Sequence, residues 1–394
     1  MHSDKRYQLA STTWDEAEYA AMQSVIESGM FTMGERVARF EREFAAYAGS
    51  RYAVMASSGS AANLLMVAAL CYRKEGRLER GDEVIVPAVS WSTTYYPLYQ
   101  YGLKLKFVDI DRDTLNYDLD RLAEALTDRT RLIMAVNLLG NANDFGRIRE
   151  IVGSRPITLI EDNCESMGAL YQGRQTGTFG VMGSYSSFFS HHISTMEGGL
   201  VVTDDEELYH LLLCLRAHGW TRNLPKFNHV CGEKSDDPFR ESFRFVLPGY
   251  NVRPLELSGA LGSEQLKKLP GMIEVRRANA ERFLALLRDY PYLRPQREVG
   301  QSSWFGFSMV IAPEAPFDRD ALVAALTAHG IECRPIVAGN FAKNEVVSWF
   351  DHEIQGELQN ADWIDRHGLF IGNHHYPLDA EFDLLRRALD TLPR

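Results

Sequence analysis

The chain lacks the features that bring a protein to a membrane or to nucleic acid. Its 42 Lys and Arg against 53 Asp and Glu give a formal net charge of −11, which argues against nucleic acid or an anionic membrane as the main partner. No stretch approaches the roughly 20 apolar residues of a membrane span, and the sequence from Met1 has no signal-peptide run. We therefore expect a cytoplasmic protein.

Cysteine is also scarce. The five cysteines, Cys71, Cys164, Cys214, Cys231 and Cys333, are widely scattered and form no CxxC pair. This spacing supports neither a structural zinc site nor a cysteine-ligated iron–sulfur cluster, so no metal ligand is predicted. We expect reduced and mostly buried thiols.

Short apolar runs alternate with helical periodicity in the first half of the 394 residues. The pattern predicts strands at 52–56, 83–86, 106–109, 132–136 and 157–161, with helices at 60–70, 119–126 and 145–152. This alternation indicates an α/β fold with a mainly parallel sheet flanked by helices. Ligands of such sheets bind at the carboxyl ends of the strands.

The second half begins with an irregular, charged segment at 220–246, of the kind that forms a lid or binding loop. Helices follow at 255–269, ended by Pro270, and at 272–287. Strands near 304–311 and 332–336 and a helix at 319–330 complete a second unit. We predict a large domain over 1–250 and a smaller C-terminal α/β domain over 251–394.

Three short motifs lie at predicted strand ends, and each has a structural alternative. Ser57-Ser-Gly-Ser opens a helix and could cradle a phosphate or simply cap that helix. Asp162 could hold a pyridine nitrogen protonated or serve as an N-cap. Trp91 could stack on a flat cofactor ring or lie in the core.

A histidine pair, His191-His192, follows Ser186 by five and six residues. A serine hydroxyl here could bind a cofactor phosphate while an imidazole faces the reacting carbon. Imidazole moves protons near neutral pH but forms no Schiff base with an aldehyde. The alternatives are a structural pair and a metal site without a visible third ligand.

Taken in this order along an α/β chain, the motifs resemble the sugar aminotransferase family of antibiotic and lipopolysaccharide pathways. The resemblance extends from Ser28-Gly-Met-Phe-Thr-Met-Gly to Gly249-Tyr-Asn-Val-Arg-Pro. It implies a pyridoxal-phosphate enzyme of fold type I, similar to aspartate aminotransferase. It also implies a set of cofactor contacts: Gly59, Ser60 and Ser186 at the phosphate, Trp91 on the ring, Asp162 at the pyridine nitrogen and Glu165 near the ring hydroxyl.

Two further implications concern the partner subunit and the catalytic base. Asn251 matches an asparagine that reaches the cofactor phosphate of the neighbouring subunit, which implies a homodimer with shared active sites. The family lysine falls on His191 when the alignment starts at Glu197, and on His192 when it starts at Ser187. We prefer His191 because that register also retains Ser186.

A histidine in place of the lysine resembles the 3-dehydratases of dideoxysugar biosynthesis. The segments Asn137-Leu-Leu-Gly-Asn and Arg334-Pro-Ile-Val-Ala-Gly-Asn also resemble that branch, and the missing cysteines point to its colitose subgroup, which has no iron–sulfur cluster. The resemblance implies pyridoxamine phosphate as the working cofactor. It also implies loss of the C3 hydroxyl from a nucleotide-linked 4-keto-6-deoxyhexose, and glutamate as the donor that restores the amine.

His191 is the predicted base and general acid, because an ordinary imidazole pKa of about 6.5 suits both roles near neutrality. GDP is favoured by resemblance alone, since the residues do not rank it over CDP or dTDP. Arg222, Lys226 and Arg240 are candidates to meet the diphosphate.

Two other functions remain open from the sequence. One is an ordinary nucleotide-sugar aminotransferase that uses a lysine from elsewhere, with Lys226, Lys234, Lys267 and Lys268 as candidates. The other is a non-catalytic protein that binds a cofactor or a sugar nucleotide. Retention of Asp162, Ser186 and Asn251 argues against the second, because a scaffold needs no electron sink.

Overall fold

The computed structural model describes residues 6–393, and these contain the predicted alternation of strands and helices. The helices are α1 (Glu16–Ser28), α2 (Glu35–Ala48), α3 (Gly59–Tyr72), α4 (Ser92–Gln100), α5 (Leu119–Ala125), α6 (Phe145–Val152), α7 (Glu206–Leu215), α8 (Pro238–Glu241), α9 (Glu256–Leu287), α10 (Arg319–Ala328), α11 (Gln359–His367) and α12 (Asp379–Leu389). Within this described part, no helix is both long enough and apolar enough to cross a membrane.

The strands form one large sheet, one smaller sheet and two short hairpins. They are β1 (Tyr52–Ala56), β2 (Glu83–Pro87), β3 (Lys104–Val108), β4 (Thr130–Val136), β5 (Thr158–Asp162), β6 (Leu170–Tyr171), β7 (Arg174–Gln175), β8 (Met182–Ser186), β9 (Gly199–Thr203), β10 (Phe227–Asn228), β11 (Gly232–Glu233), β12 (Leu293–Arg294), β13 (Gly306–Ile311), β14 (Cys333–Arg334), β15 (His352–Ile354) and β16 (Gly368–Gly372).

The large sheet has the order β1-β9-β8-β5-β4-β2-β3-β15. Pairing is parallel from β8 through β5, β4, β2 and β3 to β15, and antiparallel only where β9 meets β8 and β1. The predicted mainly parallel sheet is thereby confirmed. Every strand except β9 ends at the same edge of the sheet.

Both faces of this sheet are covered by helices, as the alternation of side chains requires. On β2, Val84 and Val86 pack into a core that contains α3, α4 and α7, whereas Ile85 packs into one that contains α5 and α6. Helix α3 lies deepest and begins at the N-cap Ser58, whose side chain accepts the Ala61 amide. This cap places the start of α3 at the sheet edge where β1 ends.

The predicted helix end at Pro270 is wrong, because α9 runs without interruption from Glu256 to Leu287. Proline removes one backbone hydrogen bond and normally kinks a helix. Here the turns on both sides are held by packing: Leu269, Met272 and Ile273 are all buried against α2 and β9 residues. Tertiary packing therefore outweighs the local cost of the proline.

The second, antiparallel sheet has the order β12-β13-β16-β14 and packs against α10 and α12. Two segments connect it with the rest: Tyr7 donates its hydroxyl to the Gly372 carbonyl at 2.6 Å, and β15 returns to pair with β3. The division at residue 250 stays a prediction. Its outer limits, residues 1–5 and 394, lie outside the described residues.

The 220–246 segment is largely irregular, as predicted, and holds a 3-10 turn at Thr221–Asn223, the short β10–β11 hairpin and the one-turn helix α8. Two of its proposed diphosphate contacts are engaged within the segment. Lys226 forms ion pairs with Asp236 and Glu233, and the Arg222 guanidinium lies 5.0 Å from the centre of the Trp220 ring.

Candidate active site

A pocket of about 360 Å³ opens at the edge where the parallel strands end. Its size is within the range of small-molecule and cofactor sites. The lining side chains come from the loops that follow β1, β2, β4, β5 and β8: Ser58, Gly59, Ser60, Asn63, Ser90, Trp91, Thr93, Val136, Asn137, Leu138, Asp162, Cys164, Glu165, Ser186, Phe188, Ser190, His191 and Glu197. All but one of the predicted site residues lie here.

Asp162, the last residue of β5, is a buried carboxylate held by helices on its side of the pocket. Its Oδ2 accepts hydrogen bonds from Asn63 Nδ2 and Thr94 Oγ1, each at 2.8 Å, and its Oδ1 accepts the Cys164 amide at 3.2 Å. These hydrogen bonds fix the orientation of the carboxyl group. Oδ1 retains the capacity to accept a further donor from the pocket.

The start of α3 forms a cradle opposite Ser186. A Cβ on Gly59 would lie 2.8 Å from Ser186 Cβ and 3.0 Å from Cys164 Sγ, so only glycine allows this close approach. In residues 6–393, the Gly59 and Ser60 amides have no hydrogen-bond acceptor. Free amides at a helix N-terminus bind anions well, and a phosphate suits them.

Trp91 and Glu165 lie on other walls of the pocket. Trp91 is 57% exposed and directly precedes α4, so a face of its indole is available to a flat ligand. Glu165 Oε2 accepts the Leu139 amide at 3.0 Å. Burial, opposed by that hydrogen bond and reinforced by Asp162, raises the pKa of Glu165 to about 7.

The two histidines face different surroundings. His191 lines the pocket, and its Nδ1 has no hydrogen-bond partner among the described residues. His192 is buried and points to the Ser303 carbonyl, with Nε2 at 3.2 Å from the oxygen. Of the two histidines, His191 is therefore the one that faces the pocket.

The expected ordinary pKa of His191 is wrong. Burial first, and then the positive charge of Arg276, lower the pKa of His191 to about 4. The imidazole is therefore neutral near pH 7, which suits a base. It could serve as an acid only after it has taken up a proton.

The remaining sequence candidates lie away from the pocket. Asn251 does not line it; its Oδ1 accepts a hydrogen bond from Arg253 Nε at 3.1 Å on the exposed surface. Along residues 6–393, no lysine lines the pocket. Lys267 and Lys268 are instead paired with Glu264 and Glu18 on the outer side of α9.

Sequence reasoning missed the residues that orient Asp162. Asn63 and Thr94 lie on α3 and α4, and Ser184 donates to Asn63 Oδ1 at 2.6 Å. The available signal was positional: both are polar residues near the starts of helices that begin at strand ends. Asn63 lies on a predicted helix, where a polar residue is usually assigned to a solvated face, and Thr94 lies outside the predicted helices.

Comparisons with known proteins identify relatives across nearly the whole chain. The model of the DegT/DnrJ/EryC1/StrS aminotransferase family matches residues 12–382. The chain is 62% identical over 384 residues to GDP-4-keto-6-deoxy-D-mannose 3-dehydratase from Escherichia coli O55:H7 (strain CB9615 / EPEC), covering 97% of this chain and 99% of that protein.

Two solved structures of GDP-4-keto-6-deoxymannose-3-dehydratase are similarly close. One is a histidine-to-asparagine mutant with bound GDP-perosamine, and the other contains a trapped PLP-glutamate geminal diamine. Each has a TM-score of 0.96 and 62% identity, and covers 98% of this chain and 100% of that chain. The predicted fold type I architecture is confirmed.

The raised pKa of Glu165 predicts a pH-dependent stability. In the window between the ordinary value of roughly 4.5 and about 7, the folded protein holds a proton that the unfolded chain releases, so stability falls as pH rises. Glu165→Gln should remove this dependence, so that its free energy of unfolding relative to the wild type rises by about 3 kcal/mol between pH 4 and pH 8. Urea unfolding at several pH values measures the difference.

Glu197→Gln is the matched control, since Glu197 lines the same pocket but is exposed. The free energy of unfolding of this variant should change with pH as that of the wild type does. A Glu165→Gln curve parallel to that of the wild type would contradict the assignment of a buried, protonated carboxyl.

Proposed function

The chain belongs to the DegT/DnrJ/EryC1/StrS aminotransferase family, and from this premise we propose that it is a GDP-4-keto-6-deoxy-D-mannose 3-dehydratase that uses pyridoxal and pyridoxamine phosphate. One observation carries the proposal: the pocket has a neutral histidine, His191, and no lysine among the residues that line it in the described chain. A transaminase of this fold needs that lysine.

The pocket fits the cofactor by the chemistry of its donors. A phosphate matches the free amides of Gly59 and Ser60 and the hydroxyl of Ser186. A flat ring matches the exposed face of Trp91, and a protonated ring nitrogen matches the free capacity of Asp162 Oδ1. When bound, pyridoxamine phosphate supplies an amine that condenses with the C4 ketone and a ring that accepts electrons.

His191, Asp162 and Glu165 then have different roles in the proton transfers. Neutral His191 accepts a proton on a ring nitrogen, and the resulting imidazolium donates one to the C3 oxygen as it leaves the sugar. Asp162 would be the partner of the ring nitrogen, because Asn63 and Thr94 hold its carboxyl group in a fixed orientation. Glu165, whose pKa is raised to about 7, can donate or accept a hydrogen bond beside the ring.

We also propose the amino donor, the product, the cellular location and the oligomeric state. Glutamate is the amino donor, as the glutamate adduct in a solved relative suggests. The product is a 4-keto-3,6-dideoxy sugar for colitose in the O-antigen of lipopolysaccharide, made in the cytoplasm. The enzyme is a homodimer in which Asn251 of one subunit contacts the cofactor phosphate of the other.

Ammonia release is the direct test. The protein is incubated with pyridoxal phosphate, glutamate and GDP-4-keto-6-deoxymannose, and the sugar is analysed by mass spectrometry. We expect ammonia in step with a sugar that has lost the C3 oxygen, and neither product when glutamate is left out. An amino sugar without ammonia would mean that transamination runs to completion and that the proposal is wrong.

Replacing the base by lysine should convert the chemistry. In His191→Lys the new amine can hold pyridoxal phosphate covalently, so borohydride reduction and peptide mapping should find the cofactor at position 191. Removal of a general base should lower 3-deoxygenation by about 100-fold or more.

His192→Gln is the comparison variant, because glutamine can still donate to the Ser303 carbonyl. It should retain most of the dehydratase activity. Undiminished deoxygenation by His191→Lys, together with its loss in His192→Gln, would transfer the role to His192.

Shared active sites can be tested by mixing two inactive variants. Asn251→Asp should be inactive because it sets a negative charge against the phosphate, and His191→Asn because it lacks the base. In a mixed dimer one site carries both changes and the other carries neither, so random exchange should restore about a quarter of the wild-type activity. No recovery after exchange, verified by tag-selective purification of mixed dimers, would contradict sharing.

A further inference from the structure

Arg276 is a buried cation close to the pocket that the reaction described above does not use. It lies on α9 with 4% of its surface exposed. Its guanidinium donates to three backbone carbonyls, those of Asn373 at 2.8 Å, Phe305 at 3.2 Å and Trp304 at 3.4 Å. Within residues 6–393 no carboxylate forms an ion pair with it, and an uncompensated buried charge is costly.

Two of the carbonyls that Arg276 binds, those of Trp304 and Phe305, belong to a strained segment. Trp304 has a φ of 47°, a left-handed conformation that side-chain-bearing residues seldom adopt. Its carbonyl accepts hydrogen bonds from both Arg276 and Asn373, whose Nδ2 lies 2.9 Å away. Such strain persists only where the surroundings enforce it, so these donors hold the segment in place.

The same segment touches the imidazole of His191. The Phe305 ring centre lies 5.0 Å from that of His191, with the planes at 62°, and 5.7 Å from that of His192. On its other side, the Phe305 amide donates to the Leu139 carbonyl at 3.1 Å. A continuous path of contacts therefore joins the Arg276 guanidinium, the Phe305 backbone, the Phe305 ring and His191.

The packing of Phe305 and the charge of Arg276 both act on the His191 imidazole. This imidazole has no hydrogen bond at Nδ1 in the described structure. Titratable and charged groups face it from its own loop, from the strand ends across the pocket and from α9: His192, Glu197, Asp162, Glu165 and Arg276. Of these, Arg276 is the charge that acts on the His191 pKa after burial, and its effect is to lower it.

We propose that Arg276 is a positioning residue for His191: it fixes the 303–305 segment that packs against the imidazole, and it sets a positive charge behind the ring. The consequence for catalysis depends on the proposed function. The imidazole stays neutral and ready to accept a proton. Once protonated beside a second cation, it is a stronger acid for delivery of that proton to the departing C3 oxygen.

The test reads the state of His191 directly, without cofactor or substrate. Histidine labelled with ¹³C at Cε1 is followed by NMR against pH, and the His191 signal is assigned by its loss in His191→Asn. Arg276→Gln keeps amide donors for the carbonyls but removes the charge. We expect the His191 pKa to rise by about one pH unit, so that the protonated fraction grows about tenfold at pH values above both pKa values.

Two matched variants distinguish the effect of the Arg276 charge on the His191 pKa from the effect of losing a large side chain on α9. Arg276→Lys retains the charge and should leave the His191 pKa near that of the wild type. Arg277→Met, on the next residue of α9, removes a guanidinium that donates to the Ser302 and Gly168 carbonyls and should also leave it unchanged. An unchanged His191 pKa in Arg276→Gln would overturn the proposal, even in a protein that releases ammonia as expected.

Phe305→Leu keeps the proposal falsifiable if Arg276→Gln does not fold. Loss of the ring admits water to the imidazole, so the His191 pKa should rise, and the acid limb of the kcat/KM profile for 3-deoxygenation should move to higher pH. An unmoved pKa and an unmoved limb would overturn the proposal. A wild-type enzyme that makes an amino sugar would instead overturn the proposed function and leave the NMR result standing.

Discussion

The shared register of β4, β5 and β8 is the constraint on which the pocket depends. Val136 lies opposite Asp162, and Asp162 lies opposite Ser184, so β4 and β5 end at one level and β8 extends beyond them to Ser186. Because side chains alternate, Glu161 points away from the pocket and accepts the amides of the 177–180 turn, while Asp162 points into it. A slip of one residue would exchange these two carboxylates and destroy both arrangements.

The buried carboxyl group of Asp162 links this register to the helices. Its Oδ2 accepts hydrogen bonds from Asn63 on α3 and Thr94 on α4, and Ser184 on β8 orients Asn63 in turn. Loss of any one donor leaves a buried acceptor short of a partner, at a cost of about 1–3 kcal/mol. The same hydrogen bonds therefore hold both helices in place and fix the Asp162 carboxyl group in the pocket. This double role explains why buried polar residues occur near the starts of both helices.

Local signals predicted what local interactions determine. The α6 boundaries follow from the cap at Asp144 and the glycine at 153, and both could be read from sequence. Asp162 could be placed because it follows a predicted strand, and Ser186 because of its spacing from the histidine pair and the resemblance to the family. By contrast, Pro270 is overridden by packing against α2, and β15 pairs with a strand about 250 residues earlier. Arg276 looks like a surface helix residue beside Arg277, and only contacts with residues 304, 305 and 373 reveal its burial.

The low pKa of His191 explains why histidine suits this pocket better than a free amine. Burial and the charge of Arg276 lower the pKa of the His191 imidazole from 6.5 to about 4, so the ring is neutral at pH 7. An equal lowering would take the pKa of a lysine amine from roughly 10.4 to about 8. At pH 7 most of the lysine molecules would then stay protonated and unable to accept a proton. Such a lysine would also set a second cation near Arg276. A base that is never held covalently is therefore best supplied here by imidazole, and the buried charge behind it keeps that imidazole available.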